Sequence, residues 1–294
     1  MFASIQRGFG FLGQAIDLAR KDFDLVKPSL YSLVVSAVIA MIGAIPMVAV
    51  AVLAGDSQPG KISLYVLGAL LIFVQYTIAY VFSGMTAYLV YEYLTEGDGR
   101  MDRAWAIVQR DGLDLVSLAA ASTAVKLLTN ALRGRGGRGN AGGSLVAGLL
   151  DSIWTTATFF ILPAMIIEDL SLPQALKRAT YIVKNNFMLV AVTEVGVGTV
   201  VGLIGFLLGL VAVVLGVVVF LALVNLSLVL AIVAAVLVAG LPLALITAFT
   251  SYVTTAYHTC LFLWAREAEK AVSQGQTAQS ARVPAPLATV LAQA

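Results

Sequence analysis

Residues 28–53 read Pro28-Ser-Leu-Tyr-Ser-Leu-Val-Val-Ser-Ala-Val-Ile-Ala-Met-Ile-Gly-Ala-Ile-Pro-Met-Val-Ala-Val-Ala-Val-Leu53, without a single Asp, Glu, Lys or Arg. A helix needs ~20 apolar residues to cross ~30 Å of hydrocarbon, so this run is long enough to span a bilayer by itself. A second uncharged run follows at Ile62–Tyr91. The rest of the chain agrees with these two. Of 294 residues, 60% are hydrophobic and 12% charged, and the mean hydropathy of +0.94 lies far outside the usage of soluble domains. The expected fold class is therefore all-α, a polytopic transmembrane helical bundle.

Working outward from residue 28, apolar runs alternate with polar breaks to give spans near 28–53, 62–91, 112–132, 144–167, 187–221 and 228–265. The stretch Met1–Lys27 is too long and too mixed in charge for a signal-peptide n-region, so the first span is expected to stay uncleaved. The last pair of spans is the open point. From Phe187 to Trp264 the chain is almost continuously apolar, and two helices sharing it would each exceed about 50 Å. Gly240-Leu241-Pro242 is either a kink in span six or the turn of a seventh span.

Charge favours six. Lys and Arg fall at Arg7, Arg20, Lys21 and Lys27; at Arg100, Arg103 and Arg110; at Lys177, Arg178 and Lys184; and at Arg266, Lys270 and Arg282. Six spans put all four groups on one side, which the positive-inside bias makes cytoplasmic, with both termini there. The exception is Arg133-Gly-Arg-Gly-Gly-Arg138-Gly-Asn140, which falls on the opposite side with three arginines. The expected location is the cytoplasmic (inner) membrane of a bacterium or archaeon.

Three short amphipathic stretches precede the span pairs. In the first, Ile5, Phe9, Leu12, Ile16, Ala19 and Phe23 recur at helical steps, with Arg7, Asp17, Arg20 and Lys21 off the stripe. The second is Met101, Ala104, Trp105 and Val108; the third runs from Leu172 to Val183 behind Ser171, Pro173 and Gln174, a capping-box start. The junctions Lys21-Asp-Phe-Asp-Leu-Val26, Arg110-Asp-Gly-Leu-Asp-Leu-Val116 and Lys184-Asn-Asn-Phe-Met-Leu-Val190 look alike. They point to one membrane domain, 1–270, with internal repeats over 1–95, 98–168 and 169–267, each an interfacial helix and a spanning hairpin. The tail 271–294 lacks periodicity and is expected to be disordered.

One segment carries a more specific signal. Trp154-Thr-Thr-Ala-Thr-Phe-Phe-Ile-Leu-Pro163 runs into Glu168-Asp-Leu-Ser-Leu-Pro173, then Ala175-Leu-Lys-Arg178 and Lys184-Asn-Asn-Phe187. This resembles an uncharacterised prokaryotic family of six-span integral membrane proteins, a domain of unknown function. The resemblance extends more weakly over 1–270 and implies an architecture without an activity.

Ionisable residues inside spans are costly and are functional candidates by default. Lys126 in span three and Asp151 in span four each lie about 10 Å deep from the same face, within reach of one another. They are either a structural ion pair or part of a polar path. Glu194 in span five and His258 in span six are matched in depth from the cytoplasmic face, and they form either a buried hydrogen bond or a proton relay. Gly198, Gly202, Gly205, Gly209, Ala212 and Gly216 fall at steps of four and three, a smooth face for close helix packing within the chain or between copies. Tyr88, Tyr91, Tyr93, Tyr257 and Trp264 read as an aromatic belt, and Glu92, Glu96, Glu168 and Asp169 as solvated helix ends.

Catalysis is not signalled. The single Cys260 precludes an intrachain disulfide and the single His258 precludes a His/Cys zinc set. No serine stands in a Gly-x-Ser-x-Gly setting. A net charge of +2 does not indicate nucleic acid. The reading is a non-enzymatic membrane scaffold or interaction protein without cofactor or metal, with the lipid bilayer as partner and a homo-oligomer as one form. The alternative is a transporter or channel whose path uses Lys126, Asp151, Glu194 and His258.

Overall fold

The computed structural model describes residues 2–55, 57–134, 141–277 and 281–291, with side chains described except at 2–5, 7, 141, 185–196 and 289–291. The described residues are mainly helical, with no strand among them. In order they form α1 (Phe2–Lys21), a 3-10 turn (Phe23–Leu25), α2 (Lys27–Ala54), α3 (Gln58–Glu96), α4 (Met101–Arg110) and α5 (Gly112–Gly134). Then come α6 (Ala141–Glu168), α7 (Leu172–Leu223), α8 (Leu228–Ser273) and α9 (Ala285–Leu291). Six of these helices are long and apolar enough to cross a membrane, making this a multi-pass protein.

The helix boundaries follow local chemistry. Ser57 accepts a hydrogen bond from the Gly60 amide at 3.0 Å and starts α3. Gly97, at φ 86°, takes the left-handed conformation that ends it, its amide bonded to the Tyr93 carbonyl at 2.9 Å. Asp22 closes the first junction from both sides, one carboxylate oxygen accepting from the Asp24 amide at 2.9 Å and the other from Gly99 at 2.8 Å. At the second junction Asp111 separates α4 from α5 and is gripped by Arg110 at 2.6 and 2.9 Å. At the start of α7, Gln174 Oε1 accepts from both the amide and the hydroxyl of Ser171, at 3.1 and 3.0 Å.

One expectation changes here, and the open point at the C-terminal spans closes in favour of six. The third amphipathic stretch is not a separate helix, because α7 runs unbroken through Lys184-Asn-Asn-Phe187 into span five. At the first junction, by contrast, the Asp22 carboxylate offers the backbone a competing partner. Gly240-Leu241-Pro242 lies inside α8, so the C-terminal region holds two spans. Pro242 removes one hydrogen bond to the Val238 carbonyl, which a long helix tolerates in lipid. At 1.5 Å per residue α7 and α8 run to about 78 and 69 Å, so each projects well beyond the hydrocarbon.

By contacts the chain divides into two compact units, Met1–Leu33 with Glu92–Gly99 and Asn186–Ala294, and Val34–Tyr91 with Arg100–Asn185. Neither coincides with one of the three expected repeats. In the first unit the core joins α1 to the C-terminal half of α8. Phe11, Ala15 and Leu18 of α1 are buried, as are Tyr252, Tyr257, Leu261 and Phe262 of α8. Phe11 meets Tyr257 edge-on at 5.2 Å. The face of α1 that packs is thus offset from the expected stripe, whose Phe9 and Phe23 remain exposed. Residues 271–294, expected to be disordered, include α9, which packs on α1 and α8 with Leu287 fully buried.

In the second unit α5 and α6 pair along their length, and Ala104, Val108, Leu115, Leu118, Phe160 and Met165 form the core. Gly84 of α3 admits Ile166, to which an added Cβ would come within 3.1 Å. After α6, Asp169 turns the chain at φ 53° and reaches Arg110 at 3.2 Å, while Arg178 grips Glu168 through Nε and a terminal nitrogen at 2.9 and 3.2 Å. Glu168 and Asp169 are therefore paired, and Glu92 is buried rather than solvated. Tyr257 and Trp264 are buried too, which removes them from the expected aromatic belt.

Candidate functional site

Three helices of the second unit turn polar residues toward one another. From α3 come Tyr76 and Tyr80, one turn apart with rings stacked at 5.8 Å. From α5 come Ser122 and Lys126, again at i and i+4; from α6 come Asp151, Trp154, Thr155 and Thr158, one face by helical spacing. They enclose a cavity of about 180 Å³. It has room for several water molecules and enough polar groups to hold them.

Its inner end is a hydrogen-bonded knot. Trp154 Nε1 donates to Ser122 Oγ at 2.9 Å, and the Tyr80 hydroxyl lies 2.6 Å from the same oxygen. One serine thereby serves two aromatic side chains, the Tyr80 hydroxyl also meeting Thr158, and it gives the Trp154 indole N–H its partner in an apolar setting. Thr155 and Thr158 donate to the carbonyls of Asp151 and Trp154, at 2.7 and 2.8 Å, which satisfies both hydroxyls within α6.

The other end is charged. Lys126 Nζ stands 3.7 Å from Asp151 Oδ2, and Arg133 donates to that same oxygen at 3.3 Å. The structure thus brings together the two residues whose depths match, and adds Arg133 from the end of α5. Two cations face one carboxylate. All three side chains are partly exposed, so none is sealed between the helices.

The remaining candidates are elsewhere. His258 is buried in α8, its ring 5.2 Å from that of Tyr257. The Glu194 side chain lies outside the described residues, as do residues 135–140 of the arginine-glycine loop. The glycine face is used within the chain. An added Cβ at Gly205 would lie 3.5 Å from Thr250, at Gly209 3.3 Å from Leu243 and at Gly216 2.7 Å from Ala239, so α7 and α8 approach closely there. Gly202 meets nothing within 4 Å and Gly198 is exposed.

Sequence reasoning missed Tyr76, Tyr80, Ser122 and Trp154 as a set. Each is neutral and of a type that spans tolerate, so none raises the alarm a charge does. The signal was positional: Tyr76 and Tyr80 at i and i+4, Ser122 one turn before Lys126, and Trp154 three residues after Asp151.

A family of unknown function, DUF6159, matches residues 114–271, more than half of the chain, and the chain belongs to that family. The match covers Ser122, Lys126, Asp151 and Trp154 and leaves Tyr76 and Tyr80 outside. No curated protein matches the chain.

Proposed function

We propose that this member of the DUF6159 family is a non-enzymatic interaction protein of the cytoplasmic membrane, with both termini on the cytoplasmic side and the bilayer as its principal partner. Orientation is supported by the basic residues near α1, α4, the start of α7 and the end of α8, which six spans collect on one side. The observation that carries the lipid reading is α1. One face packs inside through Phe11, Ala15 and Leu18, while Phe9 and Arg20 stay exposed on another face, as does Phe23 in the turn that follows. Such a helix lies in the headgroup region with aromatic rings down and cations level with phosphates.

The glycine stripe no longer motivates self-association, because Gly205, Gly209 and Gly216 are closed against α8. Non-enzymatic action is supported by the placement of the reactive groups, since Cys260 and His258 are both buried in α8. The test is a spin label at Phe9→Cys in a Cys260→Ala background, reconstituted in liposomes. The expected depth is about 5–10 Å below the headgroups. Full accessibility to an aqueous relaxation agent counts against the reading.

A transport reading is favoured by one observation, the polar cavity bounded by Lys126 and Asp151. It requires proteoliposomes to pass protons or ions faster than empty vesicles, and Lys126→Gln to abolish the excess. The interaction reading expects no excess flux.

A further inference from the structure

Arg133 and the charged end of the cavity are unexplained by orientation or packing, and on α5 they lie within a turn of Asn130, which lines a second groove. Between α3 and α5 lies a cavity of about 640 Å³, walled by Leu64, Gly68, Ala69 and Ile72 on one side and Leu127 and Ala131 on the other. Small residues hollow it: a Cβ at Gly68 would approach only Met47, at 3.9 Å. From Leu64 to Ile72 the wall runs about 12 Å at 1.5 Å per residue, close to the ~15 Å depth of one leaflet's hydrocarbon.

The groove has a polar edge. Lys126, Asn130 and Arg133 follow at steps of four and three along α5, so one face of that helix carries two cations and an amide, and Asn130 also lines the groove. Among the described residues their carboxylate partner is Asp151, and both cations use its Oδ2. Formal charge at this end is therefore one positive in excess. An excess of positive charge at the edge of a low-dielectric region is stabilised by a counter-anion.

We propose that this groove is a binding site for an anionic phospholipid, with an acyl chain between α3 and α5 and the headgroup phosphate on Lys126 and Arg133. A free phosphate would use the cations but not the apolar walls; a zwitterionic lipid would use the walls but bring no net charge. Asp151 acts as the resident competitor that holds both cations in place when the lipid is absent. The proposal rests on the membrane-spanning reading and names the lipid class and site that the interaction reading leaves open.

The test uses the full chain in mild detergent, with lipid binding followed by native mass spectrometry and by thermal unfolding. Phosphatidylglycerol is expected to bind about tenfold tighter than phosphatidylcholine, with Lys126→Gln and Arg133→Gln each erasing most of that preference, the loss of a charge-assisted hydrogen bond. Asp151→Asn is expected to tighten phosphatidylglycerol binding by freeing both cations, the opposite of what a purely structural ion pair requires. Ala131→Phe, which fills the groove, is expected to weaken both lipids. Equal affinity for the two lipids, or a preference unchanged in both cation variants, overturns the proposal. So does inorganic phosphate giving the full thermal shift, which marks a free-anion site. These outcomes leave the depth of Phe9 untouched, so failure of the site and failure of the interaction reading are separable.

Discussion

The Tyr252 hydroxyl donates to the carbonyl oxygen of Ala15 at 3.0 Å, across a sequence separation of 237 residues. It ties the N-terminal amphipathic helix to the last span of the chain. The tyrosine is fully buried, so the phenol stem also packs there. Tyr252→Phe keeps the ring and removes the hydrogen bond, while Ala15 retains its helical acceptor role. The expected cost is about 1 kcal/mol. Reversible unfolding in mixed detergent micelles measures it, and Tyr252→Ala, which also leaves a cavity, is expected to cost about 3 kcal/mol or more.

Ser122 is expected to matter more than its size suggests. Ser122→Ala strips the oxygen from Trp154 Nε1 and from Tyr80 at once, leaving the indole N–H unpaired at a site where Ser122 itself is buried, while Tyr80 keeps Thr158. A loss of about 1–3 kcal/mol follows from the desolvation of a single donor. Ser122→Thr, which keeps the oxygen, is expected to restore most of it. Trp154 fluorescence in a background without the other tryptophans reads the change directly, as a red shift when water reaches the indole.

Close packing of α7 on α8 gives a contrast between two glycines of one helix. At Gly216 a methyl group would stand 2.7 Å from Ala239 Cβ and 3.1 Å from the Ala235 carbonyl oxygen, and neither can swing aside. Gly216→Ala is expected to destabilise by about 1–3 kcal/mol. At Gly202 nothing lies within 4 Å, and Gly202→Ala is expected to be neutral or slightly stabilising, because alanine is the better helix former. Paired thermal unfolding curves decide it; equal effects at both positions would show that the glycines are not distinguished by packing.

Spans were legible in the sequence because bilayer thickness imposes one length on every crossing, and a run such as Pro28–Leu53 meets it without help from the rest of the chain. The Lys126–Asp151 approach was legible for a related reason, since residue count converts to depth along a helix. Faces were harder. Over α1 both the expected stripe through Phe9, Leu12 and Ile16 and the observed one through Phe11 and Leu18 are apolar, and only the presence of Tyr252 and Tyr257 decides which packs. Likewise Tyr257 and Trp264 read as anchors by residue type, yet they are covered within the chain. The Ser122 knot was invisible because it depends on three helices meeting, which no local pattern encodes.

The measurement that tests the six-span account most directly is the accessibility of single cysteines to a membrane-impermeant thiol reagent in intact cells. Exposed turn positions suit it: Ser57, Asp98, Asn225 and Gln276, each changed to Cys in a Cys260→Ala background. The account expects Ser57 and Asn225 to be labelled from outside, and Asp98 and Gln276 only after the membrane is permeabilised. Labelling of Gln276 from outside together with Asn225 would contradict it, since the chain would then cross the membrane once more, or once less, after α7.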